Sequence, residues 1–176
     1  MRVPEDDYLA TMTGEKPALE FINGEVYAKP LVKRSHLLIV DEVLAALREY
    51  RRRVGGLSGP EGTVDLSRGG DRRYRVPDAA YWAPDRQGSD PVFGPPTVAV
   101  EVRSQGQTIQ ELRAKCREYR ERGVEVCWLI DPDARVVEAF DGERDAALIA
   151  TAGALESPAL PGFRLTLEIL WQALDA

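Results

Sequence analysis

Thr97-Val98-Ala99-Val100-Glu101-Val102-Arg103 decides the reading of this chain. As a strand of period two it puts Val98, Val100 and Val102 on one face and Thr97, Ala99, Glu101 and Arg103 on the other. Next, 107–122 carries Ile109, Leu112, Cys116 and Tyr119 at helical spacing, and Gly123 ends it. Val124 to Ile130 is then almost continuously apolar, as befits a strand covered on both faces. Strand, helix and strand in this order predict a right-handed crossover between parallel strands. The fold class follows: α/β, with an α+β mixed sheet flanked by helices.

The flanking sequence fits such a sheet. Pro4 to Met12 reads as a short helix, and Leu19 to Ala28 as a hairpin turned by Asn23-Gly24, the pair suited to a type I′ turn. That register places Glu20 and Ile22 on one face. From Ser35, a plausible N-cap, the pattern His36, Val40, Val43/Leu44, Leu47, Tyr50 predicts a long helix stopped by Gly55-Gly56. Thr63 to Ser67 alternates, and Tyr74 to Trp82 is β-rich but interrupted by Pro77, which implies a strand start, a bulge or an edge. Ala83 to Pro96 reads as loop. After a turn at Asp131-Pro132-Asp133, strands are expected at Val136–Phe140 and Ala146–Ala150, and the tail Phe163–Leu174 ends in an apolar strand or helix. With no repeat or linker, residues 1–176 are expected to form a single domain.

The 176 residues are 44% hydrophobic and 30% charged, the balance of a soluble globular protein. No stretch approaches the roughly 18 to 20 apolar residues of a membrane span, and the N-terminus has no basic-then-apolar leader, so a cytoplasmic protein is expected. Cys116, Cys127 and the single histidine, His36, argue against zinc, and both cysteines read as small buried hydrophobes. The net charge of −6 disfavours sequence-independent wrapping of nucleic acid. Basic residues nevertheless cluster in 29–34, 48–53, 68–75 and 113–122, and these form either a local positive strip or solvated faces.

Chemistry enters with two acids in apolar strands, Asp78 in Val76-Pro77-Asp78 and Glu101. If their strands pair, the carboxylates converge and can hold a hard cation such as Mg²⁺, which takes carboxylate, water and phosphate oxygens. The plainer alternative has Asp78 capping a turn and Glu101 facing solvent. Glutamate is seldom buried unpaired, however, and Ala99 leaves room above the strand. Arg103 projects the same way and could pair with Glu101 or contact a phosphate. Lys115 sits on the shoulder of the helix stripe, beside Leu112 and Tyr119, within reach of the strand acids. It is either a charge stabiliser at a reacting phosphate or a lysine snorkelling along the helix edge.

Phe21-Ile22-Asn23-Gly24-Glu25, Val76-Pro77-Asp78, Val98-Ala99-Val100-Glu101-Val102, Lys115…Tyr119 and Gly123-Val124…Trp128-Leu129-Ile130-Asp131-Pro132 together resemble the bacterial putative restriction endonuclease family of the PD-(D/E)XK nuclease superfamily. The resemblance runs from about Leu9 to Phe140 and implies a restriction-endonuclease-like core. It matches Asp78 and Glu101 to metal-binding carboxylates, and Lys115 to a lysine moved from the strand to the following helix. It matches Glu20 to an acid that binds a metal-bound water or orients Lys115, although an exposed strand glutamate is the plainer reading. His36 matches a histidine at the start of the long helix, and its place on the core stripe assigns it to packing. Arg103 occupies the superfamily's usual lysine slot, and an always-charged guanidinium is a poor proton acceptor.

The resulting expectation is a metal-dependent endonuclease acting on DNA, with Asp78 and Glu101 holding Mg²⁺ (or Mn²⁺) and Lys115 and Glu20 completing the catalytic set. The alternative is a catalytically impaired module of the same fold that binds DNA or a protein partner. No membrane partner is expected. An exposed strand edge near Pro77, or the 163–171 segment, could join two copies as a homodimer.

Overall fold

The alternating valine stretch forms a strand, Val98–Val102, near the middle of a mixed sheet. The computed structural model describes residues 1–142 and 152–176, with the backbone of 147–149 between them. In chain order the elements are α1 (Glu5–Thr11), β1 (Leu19–Ile22), β2 (Glu25–Ala28), α2 (Arg34–Val54), β3 (Leu57–Gly59), β4 (Thr63–Asp65), β5 (Arg73–Arg75), β6 (Ala79–Trp82), β7 (Gly88–Ser89), β8 (Val92–Phe93), β9 (Val98–Val102), α3 (Ile109–Glu121), β10 (Val126–Asp131), β11 (Val136–Asp141), β12 (Ala147–Ile149), β13 (Ala154–Leu155), β14 (Leu165–Thr166) and α4 (Leu167–Asp175).

The larger core surrounds the sheet ordered β12-β11-β10-β9-β6-β3. Here β9 runs parallel to β10, with α3 as the crossover, and antiparallel to β6. The valine face packs against Ile39, Val43 and Leu47 of α2 and Leu167 and Leu170 of α4. The opposite face sets Ala99, Cys127 and Leu129 beneath Leu112, Cys116 and Tyr119 of α3. The expected division of the strand between two faces is therefore what buries Glu101 under α3. A second sheet, β2-β1-β5-β4-β8-β7, lends Val64 of β4 to that same layer, and Leu66 just beyond β4 joins it.

Several boundaries differ from expectation for local reasons. Tyr74 to Trp82 is two strands in two sheets: β5 pairs with β1 and β4, whereas β6 pairs with β9 and β3. Val76-Pro77-Asp78 connects them, and a residue without an N–H suits a point where the chain leaves one ladder for another. Helix α2 begins before Ser35, because Leu37 N already bonds the Lys33 carbonyl, and Lys33 offers no side-chain cap. On α3 the cap is Thr108, reciprocated by Glu111 as a capping box. The expected loop 83–96 holds the two-residue strands β7 and β8, too short for any period to show. The expected strand Ala146–Ala150 corresponds to β12, while Ala146 and Ala150 lie outside the described residues. The tail is a short strand, β14, leading into α4.

Gly55 and Gly56, both at positive φ, turn the chain from α2 into β3. A Cβ on Gly56 would collide with the Trp82 carbonyl oxygen and the Tyr81 ring, so only glycine lets β3 lie against β6. Gly56→Ala is expected to cost roughly 2–4 kcal/mol in urea unfolding, from left-handed strain plus overpacking. Gly59→Ala, which meets open space at ordinary φ, is expected to stay within about 1 kcal/mol of the parent.

Candidate functional site

Asp78 stands one residue before β6, and its N–H already bonds the Val100 carbonyl at 3.0 Å. Because Ala79 pairs with Val100, one further step sets Asp78 opposite Glu101, so both acids share one face. The Asp78 carboxylate is fixed on both sides. Oδ2 accepts the Val102 N–H at 2.7 Å, and Oδ1 lies 2.5 Å from Lys29 Nζ and 3.5 Å from His36 Nε2.

Glu101 is 1% exposed, so its charge depends on protein donors. Helix α3 supplies two of them one turn apart. Tyr119 donates its hydroxyl to Oε1 at 2.8 Å, and Lys115 Nζ lies 2.9 Å from the same oxygen. Lys115 also reaches Glu20 Oε1, at 2.7 Å. Glu20 accepts the Val76 N–H at 2.9 Å and the Arg75 guanidinium at 2.9 Å. Arg75 continues to Glu118, which also receives Arg73 at 2.5 Å. The buried acids Glu20, Asp78 and Glu101, with the half-buried Glu118, thus face the cations Lys29, Arg73, Arg75 and Lys115.

The proton equilibria follow from burial set against pairing. Burial opposes the charge of Glu20, but Lys115, Arg75 and Lys29 outweigh it and hold the carboxyl down to about 2. Glu101 is pushed up by its deeper burial despite the pull of Lys115 and Lys29, with Asp78 and Glu20 adding repulsion. Burial also opposes the charge of Lys115, yet Glu101 and Glu20 raise its pKa above the ordinary lysine value. Lys115 and Glu101 meet as ammonium and carboxylate, with both ammonium contacts and the tyrosine hydroxyl converging on carboxylate oxygens at ordinary bonding distances. Burial lowers the His36 pKa, with Asp78 acting against it, so the imidazole is neutral at pH 7. Its Nδ1 lies 2.9 Å from Ser104 Oγ.

The acids sit behind their lysines. A cleft of about 730 Å³ is lined by Lys29, Arg73, Arg75, Lys115 and Arg122 interleaved with Glu20, Glu111, Glu118 and Glu121, and Asp78 and Glu101 are not on its wall. Across Lys29-Pro30 a second cavity, of about 330 Å³, is bounded by Asp78, His36 and apolar residues that include Leu31 and Leu37. Three of the four basic clusters of the sequence therefore send members to the cleft. The fourth lies elsewhere, with Arg53 over the Tyr50 ring.

Among the described residues no three or more His, Cys, Asp and Glu side chains are grouped to hold a metal. The donor chemistry of Asp78 and Glu101 still fits one hard divalent cation, which needs only one or two carboxylates with water and substrate oxygens beside them. Neither cysteine joins these donors: both are buried, and burial pushes the Cys127 thiol up.

Of the residues singled out in the sequence, Asp78, Glu101, Lys115 and Glu20 come together. Glu20 is buried and doubly paired rather than exposed. Arg103 turns away from Glu101: it pairs with Asp131 at 2.8 Å and donates to the Gln107 carbonyl, because β9 ends beside the Asp131 turn. His36 is buried as expected of a packing residue, but with Nε2 toward Asp78. Lys29, Arg75 and the Tyr119 hydroxyl went unrecognised. The hairpin register held the signal for Lys29, since Tyr27 pairs with Glu20 and Lys29 lies two residues further along that face.

Two outcomes follow from this geometry. Lys115→Met leaves Glu101 buried without its cation and is expected to cost about 3–5 kcal/mol in denaturant unfolding. Glu20, whose pKa is depressed on folding, contributes stability that is full above its unfolded value and lost as pH falls through about 2. In thermal melts between pH 5 and 2, Glu20→Gln is therefore expected to show a shallower acid loss than the parent.

Comparison with known proteins agrees with this architecture. A crystal structure titled a putative nuclease belonging to DUF820, from Anabaena variabilis ATCC 29413, superposes with a TM-score of 0.84 at 19% identity, covering 98% of this chain and 99% of that one. At that identity the likeness shows the fold. No curated protein matches the chain. The model of the family Uma2, described as Putative restriction endonuclease, matches residues 5–168, and the chain belongs to that family.

Proposed function

We propose that this protein is a metal-dependent endonuclease that hydrolyses DNA phosphodiester bonds. Asp78 and Glu101 would hold one Mg²⁺ or Mn²⁺, and Lys115, oriented by Glu20, would act at the reacting phosphate. The observation that carries the reading is the Glu20–Lys115–Glu101 chain, bonded at 2.7 and 2.9 Å beside Asp78 and behind a cleft onto which Lys29, Arg73, Arg75, Lys115 and Arg122 open. Family membership and the nuclease named in the superposed structure's title support the same chemistry.

When bound, the cation supplies charge neutralisation and an activated water. Lys115, whose proton is held by two carboxylates, is a donor and not a base, so its part is to stabilise charge gathering on the phosphate oxygens. Glu20 and Arg75 fix where that ammonium stands. His36, neutral and anchored through Ser104, buttresses the Asp78 side.

Purified protein is expected to cut some DNA form only with Mg²⁺ or Mn²⁺. Asp78→Asn, Glu101→Gln and Lys115→Met should each lower the rate by about 10²-fold or more. Cleavage unaffected by Asp78→Asn, or none of single-stranded, duplex or branched DNA, would overturn the reading.

Arg103 in the usual lysine slot supports the second reading, a binding-only module. Calorimetry separates the two: Mn²⁺ binding lost in Glu101→Ala supports the enzyme, and no binding supports the module.

A further inference from the structure

Asp78 meets a cation already present in the chain. Lys29 Nζ is 2.5 Å from Oδ1 and 2.8 Å from the Val76 carbonyl, and the lysine side chain is 10% exposed. Its environment differs from that of Lys115, which is shared by two carboxylates and rooted in the middle of α3. Lys29 bonds one carboxylate and follows the last residue of β2, immediately before Pro30. It also lines both the larger cleft and the smaller cavity beside Asp78, so its ammonium stands at the boundary between acid and solvent.

We propose that Lys29 is an exchangeable positioning residue. It keeps the Asp78 carboxylate charge-matched in the metal-free protein, yields Oδ1 to an incoming divalent cation, and then presents its ammonium to the cleft as a contact for a substrate phosphate. The inference rests on the metal-dependent reading above. A divalent ion and an ammonium cannot both occupy one carboxylate oxygen at bonding distance without strong repulsion, so one must leave. Lys115 is held in place by Glu20 when Glu101 engages an ion. Lys29 makes a direct ion pair with Asp78 alone, Glu20 and Glu101 attracting it only from beyond bonding distance, and four flexible stem carbons let it swing into the cleft it already lines. Anchoring by a single bond to a backbone carbonyl is weak enough to exchange.

The test is calorimetric titration of Mn²⁺ into the intact protein and its variants, with thermal melts confirming folding. Lys29→Met is expected to bind Mn²⁺ about tenfold more tightly than the parent, because the competing cation is gone. Lys29→Arg, which keeps the charge, is expected to bind no more tightly than the parent. A merely structural lysine would not improve metal affinity when removed. If Lys29→Met fails to fold, Lys29→Gln, which keeps a donor without charge, takes its place. Equal or weaker binding in the uncharged variant, with the parent binding Mn²⁺ normally, overturns the exchange and leaves the nuclease reading standing. Absence of Mn²⁺ binding in parent and variants alike overturns both. Cleavage adds a second readout: Lys29→Met should raise KM for DNA more than it lowers kcat, the sign of a phosphate contact. A loss confined to kcat would overturn the role assigned to the released ammonium.

Discussion

A carboxylate buried in the middle of a valine strand must be satisfied from one direction, and the architecture around β9 follows from that demand. The opposite face of the strand is closed by α2 and α4, which pack aliphatic and aromatic side chains against its valines. Donors for Glu101 therefore have to come from the crossover helix. Lys115 and Tyr119, one turn apart, supply them only if α3 lies with that edge over the strand. The rotation of α3 is thus tied to an electrostatic requirement as much as to its stripe of Leu112, Cys116 and Tyr119. Glu20 makes the constraint three-way, binding the second sheet to the same lysine.

How much of this was legible in the sequence depended on the length scale of each signal. The β9–α3–β10 unit was plain, because five to thirteen residues of clean periodicity outweigh local noise. The division of Val98, Val100 and Val102 from Ala99 and Glu101 survived to the level of which helix covers which face. Pairing of the Asp78 and Glu101 strands was also foreseeable. Where strands are two or three residues long, as in β7 and β8, hydrophobic alternation has no room to appear. The switch of sheets at Val76-Pro77-Asp78 was marked by its proline, yet a proline announces a break without saying where the chain goes next. Ser35 failed as a cap because capping depends on where the first backbone bond closes, and here it closes on Lys33.

Site residues divided along a different line. Asp78, Glu101, Lys115 and Glu20 stood out because acids in apolar strands and a lysine on an apolar shoulder are locally anomalous. Lys29 and Arg75 are not anomalous where they stand, at a strand end and in an alternating basic run, and only the hairpin register and β1–β5 pairing reveal that they converge on acids. Arg103 shows the converse. Its sequence slot pointed to the acid pair, but β9 has ended by then, and Asp131 at the end of the neighbouring strand β10 offers a nearer carboxylate.

The net charge of −6 says little about such a site, because its acids and bases are counted against one another at close range rather than across the surface. The buried acids Glu20, Asp78 and Glu101, with the half-buried Glu118 and Asp71, are matched by Lys29, Arg73, Arg75, Lys115 and Arg122 in a neutral cluster. A neutral cluster of this kind can fold without any bound ion, which separates the stability of the scaffold from the occupancy of its centre. Of those pairings, the ones that cross between sheets and helix, through Lys115 and Arg75, are shared by more than one carboxylate and hold elements together. The pairing at Asp78 has one carboxylate and one solvent-bordering ammonium. A site that exchanges a cation without loosening its fold needs that inequality, with the shared lysine as structural tie and the unshared one at the entrance.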